Sequence, residues 1–251
     1  MSVRVRHAVG LVWIELDRPR ANVLDGVMVA RIRQEIAALR RIAGLKLVVF
    51  EGRGTEFSFG GSAEEHTPDR VRQMLTDFHA MFREIEALGV PTAAVVRGRC
   101  LGGGLELAAF CGRVFAAPGA SLALPEIRLG GFPPLGALIL PWRMGGSRAA
   151  ELILTGGALA AGEAQAVGLV DEVAPDPAVA LQNWFDAHLA PLSASSLSIA
   201  WRAVRMPVAD RLEHDLPRLE ALYLGELMAT QDAGEGISAF LERRPPRYVH
   251  R

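Results

Sequence analysis

Lysine is nearly missing from this 251-residue chain. Only Lys46 stands among its 27 basic residues, and it sits inside the apolar run Leu45 to Phe50, which reads as a strand. Schiff-base chemistry and a phosphate loop of the GxxxxGK[ST] kind therefore have almost nowhere to sit. Neither sign of charge is in excess, with 28 acidic residues against the 27 basic ones, which argues against a general binder of nucleic acid or membrane surfaces. Two cysteines, Cys100 and Cys111, give neither a disulfide framework nor a zinc pattern. The six histidines form no HExxH or HxH pair, and His66 and His79 read as helix-face or loop residues. No serine stands in a G-x-S-x-G elbow, which counts against an α/β-hydrolase. No uncharged apolar run approaches the roughly 18 residues of a membrane span, and Met1 to Arg4 does not open a signal peptide. The expectation is a reduced cytoplasm.

What is present is an ordinary globular composition, half of it hydrophobic, in one large domain or one with an appendage. Val9 to Leu16 reads as a strand stopped by Asp17, Arg18 and Pro19. Asn22 or Asp25 can cap a helix along which Val27, Ile32, Ile36 and Leu39 recur. Asp69 to Leu88 is amphipathic, with Met74, Phe78 and Phe82 on its apolar side, where two aromatics at helical spacing read first as core. Pro91 to Arg97, Arg113 to Ala117 and Ala120 to Leu124 read as strands, and Gly168 to Val173 as a turn into a last one. Strands alternating with helices imply an α/β domain over residues 1–190. Asp176 to His188, Ser193 to Val204 and Leu212 to Thr230 look purely helical, so residues 191–251 form an all-α region.

Two acids are out of place. Glu106 lies between Leu105 and Leu107 in an apolar helix, and Glu126 follows Leu122-Ala123-Leu124-Pro125 just past a strand. Burial disfavours a carboxylate, so both pKa values are expected to rise, and two such groups can serve as general acid and general base. A salt bridge to Arg113 or Arg128, or plain exposure, stays open on spacing alone. Glycines 102–104 and the pair Gly60-Gly61 stand where a strand hands over to a loop or helix, where backbone N–H groups can approach a ligand. Ordinary turns would explain them equally well. The run GGGLEL is not a dinucleotide fingerprint.

Taken in order, Leu16-Asp17-Arg18-Pro19…Asn22, Phe57-Ser58-Phe59-Gly60-Gly61, Gly98…Gly102-Gly103-Gly104-Leu105-Glu106-Leu107-Ala108 and Pro125-Glu126-Ile127…Gly130 resemble the enoyl-CoA hydratase/isomerase (crotonase) superfamily. Leu154-Thr155-Gly156, Glu163-Ala164, Gly168-Leu169-Val170 and the tail from Glu235 to Pro245 extend the likeness over nearly the whole chain. The resemblance implies a spiral of ββα units followed by a helical trimerisation region, hence a homotrimer or a dimer of trimers. It implies an acyl-CoA thioester substrate and no cofactor, coenzyme A entering as part of that substrate. By position, the N–H groups of Gly61 and Gly103 match an oxyanion hole, and Glu106 and Glu126 match the two catalytic glutamates of hydratases. Arg20, Ala21, Phe59, Phe240 and Arg243 match positions that bind coenzyme A, the last two reaching the adenine end, often of a neighbouring subunit. Met74, Phe78, Phe132, Pro133 and again Phe59 match the substrate pocket.

The chain also departs from the superfamily pattern. The usual small-Gly-Ala-Asp reads Phe59-Gly60-Gly61-Ser62, Glu64 stands where a basic contact often lies, and a Pro-x-x-Gly-Gly turn has become Gly131-Phe132-Pro133-Pro134-Leu135-Gly136. These two stretches resemble the cyclohexa-1,5-diene-1-carbonyl-CoA hydratases. Phe59 and Phe132 are therefore expected to wall a short, wide pocket for a six-membered ring. Rival readings are a general short-chain enoyl-CoA hydratase or a double-bond isomerase, which typically uses one carboxylate. A non-catalytic acyl-CoA-binding or RNA-binding relative is disfavoured by the balanced charge and the retained glutamates.

Overall fold

The computed structural model describes residues 2–19 and 21–251. Its strands are β1 (Val3–Ala8), β2 (Leu11–Leu16), β3 (Leu47–Gly52), β4 (Thr92–Val96), β5 (Arg99–Leu101), β6 (Arg113–Ala116), β7 (Ser121–Ala123), β8 (Ala158–Ala160) and β9 (Glu172–Val173). The helices are α1 (Gly26–Leu39), α2 (Val71–Leu88), α3 (Gly103–Phe110), α4 (Pro134–Met144), α5 (Gly146–Thr155), α6 (Ala161–Ala166), α7 (Pro177–His188), α8 (Ala194–His214), α9 (Leu216–Gly225) and α10 (Gln231–Leu241). A six-stranded sheet runs β1-β2-β3-β4-β6-β9, parallel except for the β1–β2 hairpin, and a three-stranded sheet runs β5-β7-β8.

The large sheet is covered on both faces, which is why its strands read as continuous apolar runs. Side chains alternate along each strand. Val48 and Phe50 of β3 join the main core with α1, α2 and α3, while Leu47 and Val49 meet Leu181 and Phe185 of α7 on the other side. Lys46, the lone lysine, donates to the carbonyl of Ala190 and ties the start of β3 to the chain after α7.

Several elements differ from the sequence expectation. The chain opens with a strand, Val3–Ala8, that pairs residue for residue with β2. Asp25, not Asn22, caps α1 by accepting from the Met28 N–H at 3.0 Å. Asn22 is buried instead, and its side-chain amide reaches the carbonyls of Arg53, Glu56 and Phe57. Val27 is 65% exposed, because the buried stripe of α1 runs through Met28, Ile32, Ile36 and Leu39. Helix α8 continues through Pro207 to His214, well past Val204. Tertiary anchoring overrides the proline: buried Arg205 pairs with Glu86 at 2.6 Å and donates to the Phe110 carbonyl, and Val208 and Leu212 are buried beyond it. The expected single helix over Leu212 to Thr230 is broken, since Pro217 in the first turn of α9 starts a new one. Thr230 then caps α10.

Much of the apolar surface of the C-terminal helices is used within the chain. Leu216 is fully buried, and Leu219, Leu224 and Leu227 pack against buried clusters. Ile199, Val204, Met206, Leu222, Phe240 and Leu241 remain exposed.

Candidate active site

Two loops from distant parts of the sequence are stapled together. Ser58 pairs with Cys100 as an isolated parallel bridge, the Leu101 N–H donates to the Ser58 carbonyl, and the Leu24 N–H donates to the Gly60 carbonyl. Gly60 has φ +84, and a methyl there would lie 2.6 Å from the Leu101 oxygen and 2.9 Å from the Gly103 nitrogen. Only glycine lets these two backbones approach so closely. The amides of Gly61 and Gly103 thus come side by side. Gly103 is the first residue of α3, where an N–H has no intrahelical partner, and neither amide meets an acceptor among the described residues. Two such donors, at the positive end of a helix, can hold an oxygen that gains negative charge.

Both glutamates are carried next to the Gly102–Gly103 corner, Glu106 by the helix that starts there and Glu126 by a turn packed on Gly102. Glu106 lies one helical turn beyond Gly103, is 5% exposed, and its Oε1 accepts from the Gly136 N–H at 2.7 Å. That donor exists because Pro134 begins α4, so the first-turn amides of Leu135 and Gly136 point outward unpaired. Burial pushes the Glu106 carboxyl above the ordinary range, and these two N–H groups partly offset the rise. Glu126 lies in a 3-10 turn, Pro125–Leu129, directly after β7. Its Oε1 would be 2.8 Å from a methyl on Gly102, and its Oε2 is shielded from solvent without a hydrogen-bond partner. Burial first, then the nearby Glu106 charge, raises its pKa as well. The alternative of a salt bridge to an arginine is not what forms. Arg113 pairs with Glu172, and Arg128 donates to the Thr155 carbonyl.

The remaining expected residues divide into two groups. Phe78 lies against Gly103, where a methyl would meet its Cζ at 2.8 Å, and it also packs edge-on to Phe82, so it serves core and site together. Met74 and Phe132 gather in a small cluster with Val71 and Leu75, and Pro133 packs on Gly136. Phe59 lies on the loop beside Ala21. Its N–H donates to the Ala21 carbonyl and the Arg99 guanidinium covers its ring at 4.2 Å. Arg20 lies outside the described residues. Ala21 has φ +77, and Phe240 and Arg243 are exposed at the end of α10. Helix α10 packs on the Glu126 turn, and the Tyr248 hydroxyl donates to the Arg128 carbonyl.

Three groups were not picked out as site residues from the sequence. His66 packs its Cε1 3.1 Å from where a Gly61 methyl would be, with its Nδ1 2.7 Å from the Ser62 carbonyl and its pKa lowered by burial. The change of the usual alanine to Gly61 was the legible signal, since the ring takes the space of the methyl. Tyr223 of α9 is buried against Phe132, and no sequence motif marks it. The backbone N–H of Gly136 was foreshadowed only by Pro133-Pro134.

The family profile described as enoyl-CoA hydratase/isomerase matches residues 6–251. The chain belongs to the enoyl-CoA hydratase/isomerase family. It is 43% identical over 249 residues to a cyclohexa-1,5-dienecarbonyl-CoA hydratase of Thauera aromatica, with 96% of each chain covered. A 2,3-dehydroadipyl-CoA hydratase of Escherichia coli K12 is 32% identical over 242 residues, covering 95% of this chain and 94% of the relative. The crystal structure of an enoyl-CoA hydratase from Mycobacterium avium subsp. paratuberculosis K-10 superposes with a TM-score of 0.86 at 26% identity, covering 99% of both chains. As a member of this family the protein has the crotonase fold, with α8–α10 as its C-terminal helical region, and is a hydratase-type hydro-lyase acting on acyl-CoA thioesters. No helix among the described residues is long and apolar enough to cross a membrane.

Proposed function

We infer that the protein adds water reversibly to a conjugated, ring-shaped dienoyl-CoA thioester of the cyclohexa-1,5-diene-1-carbonyl type. One observation carries this reading: two buried carboxylates with raised pKa stand beside two unpartnered backbone N–H groups. As water adds to a conjugated thioester, negative charge collects on the thioester oxygen. The Gly61 and Gly103 N–H groups stabilise it without having to reorganise, each worth about 2.7–4 kcal/mol in the transition state. Glu106, fixed by the Gly136 N–H, holds the water and takes its proton. Glu126 delivers a proton to carbon. A close pair titrates jointly, so the two labels describe one shared proton inventory. The reaction so written uses the chain's own residues and the thioester, with coenzyme A supplied by the substrate.

The ring is supported by the Thauera aromatica relative's substrate and by the flat, apolar surroundings of Phe132, namely Met74, Leu75 and Tyr223. Ala21 and Phe59, hydrogen-bonded through their backbones, line the groove for coenzyme A, and Phe240 and Arg243 meet its adenine end. The exposed apolar residues of α8–α10 support a homotrimer or a dimer of trimers, working in the cytoplasm. Purified protein should hydrate cyclohexa-1,5-diene-1-carbonyl-CoA with a higher kcat/KM than crotonyl-CoA. A preference for the straight-chain thioester would overturn the ring reading, and no hydration of either would overturn the reaction.

A further inference from the structure

Helix α9 brings one more polar group to the glutamates. Tyr223 is 4% exposed, is one of only two tyrosines in the chain, and stacks obliquely on Phe132 with ring centroids 5.3 Å apart. Its ring is held in the apolar cluster of Val71, Leu75 and Phe132, and its hydroxyl makes no hydrogen bond to another described residue. The hydroxyl is aimed across Gly131. A methyl on Gly131 would lie 3.6 Å from the phenol oxygen and 3.9 Å from Glu126 Cβ, so no side chain separates the two. Glu126 Oε2 is itself buried and unpartnered. The charges of both glutamates are felt at the phenol, which burial and those charges hold protonated and so able to donate a hydrogen bond.

The helix is set in place deliberately. Glu220, one turn before Tyr223, accepts from Nδ1 of fully buried His79 at 2.7 Å and from Arg83 at 3.3 Å, which locks α9 onto α2. The ring is enclosed while the hydroxyl oxygen is not fully shut away, so it opens onto space that a small polar group can reach. The two unpartnered groups make no direct hydrogen bond, and polar groups so placed are usually joined through a small oxygen-bearing molecule.

We propose that Tyr223 takes part directly in hydration, its phenol donating a hydrogen bond to the oxygen that is being added between Glu106 and Glu126. One lone pair of that oxygen accepts from Tyr223 while the other attacks carbon. The water's proton goes to the glutamate pair, and the pair protonates the substrate carbon. The same phenol then holds the new hydroxyl of the product. This rests on the hydratase reading above and adds a third polar contact, supplied from the C-terminal helical region.

The test compares the full-length protein with Tyr223→Phe, which keeps the ring and its packing. Binding of 3-hydroxybutyryl-CoA and of butyryl-CoA is measured by calorimetry, and kcat and KM for hydration are measured alongside. The variant should bind the hydroxylated thioester about 3- to 10-fold more weakly while binding butyryl-CoA unchanged, as one lost hydrogen bond would give. Its kcat should fall about tenfold or more, with KM and melting temperature nearly unchanged. Equal binding of the hydroxylated thioester by both proteins would overturn the proposal, whatever the activity. Absence of hydration by the wild type would instead count against the reaction, leaving the binding comparison to judge Tyr223. Tyr223→Ala serves as the packing control: if it alone weakens binding, the ring is structural and the phenol idle.

Discussion

Replacing Glu126 by glutamine should cost activity yet stabilise the fold, and the gain should depend on pH. The folded chain holds the Glu126 proton more tightly than the unfolded chain, because burial and the Glu106 charge raise its pKa. A carboxyl with a raised folded pKa leaves stability intact below the unfolded value of about 4.3 and drains it as pH climbs through the folded value. Each unit of rise is worth about 1.4 kcal/mol once pH exceeds both values. With Oε2 walled off and unpartnered, the penalty at pH 9 is on the scale of a few kcal/mol. A glutamine amide carries no charge but remains poorly satisfied, at a cost of about 1 kcal/mol or more. The net gain is then about 1–2 kcal/mol, or roughly 3–6 °C for a chain of this size. Thermal melts of the wild type and Glu126→Gln at pH 4, 6, 7.5 and 9 measure it. At pH 4 the variant should be about 1 kcal/mol less stable than the wild type, and the difference should reverse and grow as pH rises. A gain as large at pH 4 as at pH 9, or none at pH 9, would refute the argument that an uncompensated buried charge sits at this site.

Gly61→Ala should lower kcat several-fold, because the new methyl would press on His66 Cε1 at 3.1 Å and shift the loop that carries the Gly61 N–H. Activity should return in Gly61→Ala/His66→Ala, and failure of that rescue would show that the ring is not what crowds the loop. Arg205→Ala should destabilise by about 3–5 kcal/mol in denaturant unfolding, since it leaves Glu86 with a half-buried charge and removes stacking on Phe110 and Trp201. A loss under 1 kcal/mol would mean that Pro207 is tolerated in α8 for another reason. Sedimentation at micromolar concentration should give a mass of three or six chains, and a mass of one chain would leave the exposed Ile199, Val204 and Met206 unexplained.

The parts legible in the sequence were those fixed by local rules. Strands β2, β3 and β4 were visible because burial on both faces leaves them with almost no polar residue. Glu106 stood out because an acid among leucines has no local reason to be there. What escaped depended on contacts distant in sequence. Strand β1 carried a signal, the alternation of Val3 and Val5 with arginines, but an exposed edge strand is easily taken for a polar terminus. Helix α8 passes through Pro207 only because Arg205 is clamped by α2 and α3, which no periodicity reveals. Within the site, the glycines and glutamates were readable as motifs. The Arg99 guanidinium over the Phe59 ring was not, because that contact joins residues distant in sequence. Tyr223 reaches the site only through the packing of α9 on α2, so its neighbours in sequence say nothing about it.

The most direct test of the account is hydration by Glu106→Gln and Glu126→Gln, each measured apart from thioester binding. Glutamine keeps the shape and removes proton transfer, so each variant should lose roughly 10²–10⁴ in kcat. Binding of the thioester should change little, because the Gly61 and Gly103 amides remain in place. The double variant should be scarcely worse than either single one, since the two carboxylates act as one unit. If either single variant keeps near-full kcat, that glutamate moves no proton, the two-carboxylate hydration mechanism is contradicted, and single-carboxylate isomerisation becomes the better description.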